Sequence, residues 1–182
     1  ICQTWLCLQS KDLNRIKAPW QKWADHGLIT LVDDVGISPE LIANYIAELA
    51  SRYKIKMLAM DKFRLQALRE PLLEVGYDLG DKNKVKIIRP SDIMQIEPVV
   101  QDCFSRQYFT WGDNPVLRWA TNNTKRERRK INGVDTGNFI YSKIEARSRK
   151  TDPFMALVAA MCCEDVLINK TVSLPPIGAI AF

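Results

Sequence analysis

Two aspartates stand where carboxylates can do chemistry. Asp61 closes a short apolar run, Ile55-Lys56-Met57-Leu58-Ala59-Met60. Asp152 opens a helical pattern that continues through Phe154, Leu157, Val158 and Met161. An apolar run of this length between two helical patterns reads as a strand buried on both faces. In open α/β sheets, ligands sit beyond the carboxyl ends of the strands, where Asp61 lies. Each aspartate also has a plain structural reading. Asp61 can cap the turn that follows it, and Asp152 can cap free amides and suit the dipole of a helix start. Carboxylates gathered from distant segments repel one another and call for a cation.

Other catalytic chemistries find little support. His26 is the single histidine, which leaves no histidine-rich metal site and no choice of histidine for a Ser-His-Asp triad. Cys2, Cys7, Cys103, Cys162 and Cys163 are odd in number, and no two have zinc-ligand spacing. They read as reduced, mostly buried thiols of a cytosolic protein. Any metal chemistry therefore falls to oxygen ligands, which select magnesium or manganese. No Gly-rich phosphate-cradling loop occurs.

The chain has 182 residues, 47% of them apolar and 26% charged, which fits one soluble globular domain. No apolar run reaches the ~20 residues of a membrane span, and no signal peptide is visible. The net charge of +5 admits an acidic partner such as nucleic acid. The positive charge is clustered. Lys125-Arg126-Glu127-Arg128-Arg129-Lys130 is one run and Arg147-Ser148-Arg149-Lys150 a second. They read either as a solvated rim or as a phosphate-contacting rim.

The elements that must position these residues follow in order. Ile1–Gln9 suits a strand, and a strand that opens a chain implies neighbours from a longer protein. Pro19–His26 is a helix stopping at Gly27, and Leu28–Val32 a short strand. Ser38-Pro39 opens a helix with a stripe of Leu41, Ile42, Tyr45, Ile46, Leu49 and Tyr53. The Ile55–Asp61 strand comes next. A helix with Phe63, Leu65, Leu68, Leu72 and Val75 follows, kinked at Pro71. Val85–Ile88 is a strand, and Ser91 opens a helix with a local break at Pro98. Successive strand–helix–strand units imply parallel pairing with right-handed crossover. Asn114-Pro115 opens a short helix. The basic run and Asn138–Tyr141 form a hairpin whose loop, 132–137, exceeds the tightest type. Residues 1–168 read as the domain and 169–182 as a C-terminal tail.

This order of motifs resembles the nuclease domain of bacteriophage terminase large subunits. The residues that carry the resemblance are Trp20–Leu31, Met60-Asp61, Asn114-Pro115-Val116-Leu117-Arg118-Trp119 with Asn122 and Asn123, and Lys150-Thr151-Asp152 leading into Ala156-Leu157-Val158. The resemblance implies a ribonuclease H-like α/β fold, a mixed sheet flanked by helices, and metal-dependent cleavage of concatemeric double-stranded DNA. It implies Asp61 and Asp152 as catalytic and metal-binding carboxylates for two Mg2+ or Mn2+ ions. A third carboxylate is expected on a first strand upstream of this chain, because Asp33 and Asp34 follow a different strand. Where the family often has Asp-Pro-Trp, this chain has Asp61-Lys62-Phe63.

Two-metal hydrolysis needs acidic oxygens that hold ions ~3.5–4 Å apart. Arg126, Arg128, Arg129, Lys130, Lys143, Arg147, Arg149 and Lys150 are the expected duplex contacts, reading phosphates rather than sequence. The resemblance further implies an ATPase domain, a terminase small subunit and a portal as partners, in the cytoplasm of a bacterial host. Two alternatives stand beside it. One is a catalytically degenerate ribonuclease H-like DNA-binding module from a prophage remnant. The other is a nucleotide-binding domain with Asp61 on a ribose, which would need a Gly-rich turn that is absent.

Overall fold

The computed structural model describes residues 1–110 and 112–167; the tail expected at 169–182 lies outside the described residues. The elements in chain order are β1 (Trp5–Cys7), α1 (Trp20–Asp25), β2 (Thr30–Val32), α2 (Pro39–Arg52), β3 (Leu58–Met60), α3 (Leu65–Glu74) and β4 (Val85–Ile87). They continue with α4 (Pro90–Ser105), α5 (Pro115–Asn122), β5 (Thr124–Ile131), β6 (Val134–Lys143) and α6 (Asp152–Met161).

The expected mixed α/β fold is present. Both strand–helix–strand units pair in parallel, β1 with β2 and β3 with β4, while β5 and β6 pair antiparallel. One continuous sheet was expected; among the described residues the strands instead form three two-stranded sheets. Among the described residues each of β1 and β3 has a partner strand along one edge only. For that reason β3 is half-buried rather than buried on both faces.

Helix starts follow from local chemistry. The Ser38 hydroxyl accepts from the Leu41 amide at 3.0 Å, and Pro39 takes the first turn of α2, where its missing N–H costs nothing. Asn114 does the same for α5, accepting from the Leu117 amide at 3.0 Å. α4 begins at Pro90, one residue before Ser91. Asp92 accepts from the Arg89 amide at 2.7 Å and binds the Arg89 guanidinium, which fixes that start. α4 runs through Pro98 without ending. Pro98 lies on the exposed face of the helix, away from the core.

The basic hairpin is tighter than expected. Asn132 and Gly133, at φ 50° and 82°, form a two-residue loop, because this pair supplies the left-handed conformations a tight hairpin demands. The register slips between Arg128 and Lys130, and residues 134–137, read as loop, belong to β6.

Two apolar clusters flank α5. Ala120 packs with Val100, Phe154 and Val158, while Val116 packs with Trp23 and Ile29. Trp119 meets Trp23 edge to face at 5.7 Å and donates its indole N–H to the Lys17 carbonyl at 3.1 Å. Burying a side chain such as Phe154 contributes about 1.5–3 kcal/mol. α5 thereby locks α6 and α4 to the α1 side of the molecule.

Candidate active site

Asp61 follows β3 directly. Its Oδ1 accepts from the Phe63 amide at 2.8 Å, closing a turn of the Asx type. Arg64, at φ 55°, completes the bend and donates to the Ile37 carbonyl at 2.9 Å. This turn delays α3 until Leu65. Phe63, expected on the buried stripe of α3, lies before the helix and is 77% exposed.

Asp152 is the first residue of α6. Thr151 occupies the cap position and is buried, but makes no side-chain cap hydrogen bond. Both aspartates are exposed, and neither takes part in an ion pair among the described residues.

Asp61 and Asp152 line one cleft of about 690 Å3 at the carboxyl ends of β3 and β4. Lys143, the last residue of β6, lines it too, with Lys62 and Arg89. A second cleft of about 450 Å3 adjoins it. It shares Phe63, Lys143 and Asp152 with the first and reaches β1. The structure therefore gathers Asp61, Asp152 and Lys143, from three distant segments, around one opening. Lys62 and Arg89 were not singled out in the sequence, though Lys62 adjoins Asp61.

The two carboxylates are oxygen donors of the class that hard divalent cations take. Asp61 keeps Oδ2 outside its turn, and both carboxylates of Asp152 and Asp61 face solvent without a competing cation bond. Among the described residues, however, no three of His, Cys, Asp and Glu stand close enough to hold a metal ion. Burial pushes the Cys7, Cys162 and Cys163 thiols above their usual range, and all five cysteines are free.

The basic residues divide into two groups. Arg126 is tied inward. Its Nε lies 2.5 Å from the carboxylate of Glu97, which is 2% exposed, and its guanidinium carbon sits 3.4 Å from the Phe139 ring centre. Arg128 pairs with Asp135 at 3.2 Å, and Lys150 with Asp12 at 3.0 Å. The Asp12 carboxyl is held below its usual range by hydrogen bonding to Lys150. Arg149 turns towards the interior, with Nη1 3.4 Å from Asn123 Oδ1 and Nε buried without a partner. Arg129, Lys130 and Arg147 form no ion pair among the described residues, and Lys130 and Arg147 are exposed.

Glu97 and the role of Asn123 carry no signal in the sequence. Glu97 sits within the apolar pattern of α4, and its partner is 29 residues away. Asn123, 1% exposed, holds the Lys150 carbonyl through its side chain, a contact without a local sequence signal.

No family model matches the chain, and no curated protein matches it. Among solved structures, the fold is similar to the crystal structure of the HK97 bacteriophage large terminase. The TM-score is 0.70 at 16% sequence identity, over 87% of this chain and 32% of that one. The chain thus spans about a third of the length of that protein. At this identity the likeness establishes a terminase-like fold, in accord with the fold that the sequence motifs imply.

Proposed function

We propose that this chain is the nuclease portion of a phage DNA-packaging terminase large subunit, cutting concatemeric double-stranded DNA with divalent metal. The observation that carries the reading is the convergence of Asp61, Asp152 and Lys143 on one cleft, in a chain of terminase-like fold.

In this reading Asp61 and Asp152 hold Mg2+ or Mn2+ through their free oxygens. The ions, when bound, activate water and stabilise the leaving oxygen of an in-line phosphodiester hydrolysis. Lys143 faces the same opening and neutralises the phosphate that enters it. The hydrogen-bonded turn at Asp61–Arg64 and the start of α6 hold the two carboxylates in place, so little reorganisation is needed when the duplex arrives. Arg129, Lys130 and Arg147 grip the backbone beside the site without reading bases. The single partner strand that β1 and β3 each have among the described residues supports a sheet completed by further strands, one of which would bring the third carboxylate. An ATPase domain, a small subunit and a portal are the partners of this reading, and the bacterial cytoplasm its setting.

The absence of a third acidic ligand among the described residues favours one second reading, a catalytically degenerate DNA-binding module. Plasmid nicking by the full-length protein in manganese separates the two. The nuclease reading expects metal-dependent nicking that Asp61→Asn or Asp152→Asn each abolishes. Intact plasmid with the unaltered protein, alongside retained DNA binding, would establish the degenerate module.

A further inference from the structure

Asn123 is one of the five largest fully buried side chains, and the other polar one among them is Glu97. It sits between α5 and β5, outside the cleft, yet every hydrogen bond it makes beyond its own helix leads to the segment that carries the cleft residues. Its side-chain Nδ2 donates to the Lys150 carbonyl at 3.2 Å, two residues before Asp152. Its Oδ1 accepts from Arg149 at 3.4 Å. Its main-chain carbonyl accepts from the Ile144 amide at 2.9 Å, one residue after Lys143. Its own amide is spent on the Trp119 and Ala120 carbonyls, which anchors it to α5.

The segment between Lys143 and Asp152 is a loop, and loops of this length do not space their ends unaided. Asn123 clamps both of its ends to one buried point. The buried amide is also costly to leave unpaired, so the clamp tolerates few other geometries.

From these contacts we infer that Asn123 is the positioning residue of the cleft: its buried side-chain amide ties the Asp152 end of the loop to the residue whose main-chain carbonyl holds the Lys143 end, and so sets the spacing between them. The inference rests on the reading that these residues act together with Asp61 on a cation and a phosphate. Asn123 touches neither and acts through the loop it holds.

The test compares Asn123→Ala with Ile29→Val in the 182-residue chain. Ile29 is buried in the other apolar cluster, with Trp23 and Val116, and serves as the control for general loosening. Amide hydrogen exchange is followed by NMR at a temperature set the same interval below each variant's Tm. The Met155 amide, bonded to the Thr151 carbonyl at 2.9 Å, reports the first turn of α6, and the Ile144 amide reports the end of the loop that the main chain of residue 123 holds in both variants. Exchange at Met155 is expected to rise at least tenfold in Asn123→Ala and to stay within twofold in Ile29→Val, while Ile144 stays within twofold in both, since alanine keeps the carbonyl it is bonded to. Equal exchange at Met155 in the two variants would overturn the inference and make Asn123 a core residue only.

A manganese titration of the same samples tests the underlying reading separately. In the unaltered chain, broadening at residues 60–63 and 151–153 is expected at one shared midpoint, and Asn123→Ala is expected to raise it at least threefold. Two unrelated midpoints in the unaltered chain would overturn the joint site while leaving the exchange result to decide the clamp.

Discussion

Arg126 lies over the ring of Phe139 with its guanidinium carbon 3.4 Å from the ring centre, while its Nε and Nη2 bind the buried carboxylate of Glu97. The most basic strand of the protein is thus fastened to the middle of α4 by one of its own arginines. Removing one partner of a buried pair costs about 3–5 kcal/mol, and Arg126 is 43% exposed, which lowers the figure. Arg126→Ala is expected to destabilise the fold by about 2–3 kcal/mol in urea denaturation. Replacing both partners, as Arg126→Met with Glu97→Leu, is expected to recover most of it. A loss below about 0.5 kcal/mol for the single variant would show that the pair contributes nothing beyond its packing.

Binding to duplex DNA is expected to fall steeply with salt, through the cations that the fold leaves unpaired. Each phosphate contact contributes about 0.9 to the slope of log K against log salt. Arg129→Ala, Lys130→Ala and Arg147→Ala are each expected to reduce the slope by about that amount. Arg126→Ala is expected to leave it unchanged wherever the protein stays folded. Fluorescence anisotropy with a short duplex over 50–200 mM salt reads the slopes. A slope that none of the three alters would make the hairpin a solvated rim.

Acid should release the start of α4. The Arg89 guanidinium, bonded to its side chain, holds the Asp92 carboxyl below the usual carboxylate range, and the Arg89 amide adds to this. A folded value below the unfolded one contributes stability that is complete above the unfolded value, about 3.9, and is lost as pH falls through the folded one. Asp92→Asn is expected to cost about 1 kcal/mol at pH 7, the usual worth of a helix cap, and progressively less below about pH 4. A gap between the two proteins that stays constant down to pH 2.5 would contradict this.

The parts of the fold that were legible are those set by neighbours in sequence. Ser38-Pro39 and Asn114-Pro115 announce their helices because an oxygen cap and a proline solve the same problem, the free amides of a first turn. The parallel pairs β1–β2 and β3–β4 followed from alternation with helices. The hairpin loop is shorter than its sequence suggests, because strand propensity in 134–137 is weak while the Asn132-Gly133 turn decides the register. Asp61 and Asp152 were legible as ends of elements. Their sharing of a cleft depends on α6 packing beside β3, to which only the family resemblance pointed. Glu97 and Asn123 were invisible in their roles, since a buried polar group is explained by partners that only the fold supplies.

The 182-residue chain itself is expected to nick plasmid poorly or not at all, even in millimolar manganese. Two carboxylates hold a hard cation loosely and leave the attacking water unpositioned. Chelator should change nothing in that assay. Robust manganese-dependent nicking by this chain would place the third carboxylate within these residues.

The most direct measurement on the site is anomalous scattering from crystals of this chain grown in manganese. A peak is predicted in the cleft between β3 and α6, within roughly 2.0–2.6 Å of a carboxylate oxygen of both Asp61 and Asp152, the span of bonds between carboxylates and hard cations. A peak held by one of them alone, or manganese bound only elsewhere, would contradict a shared site.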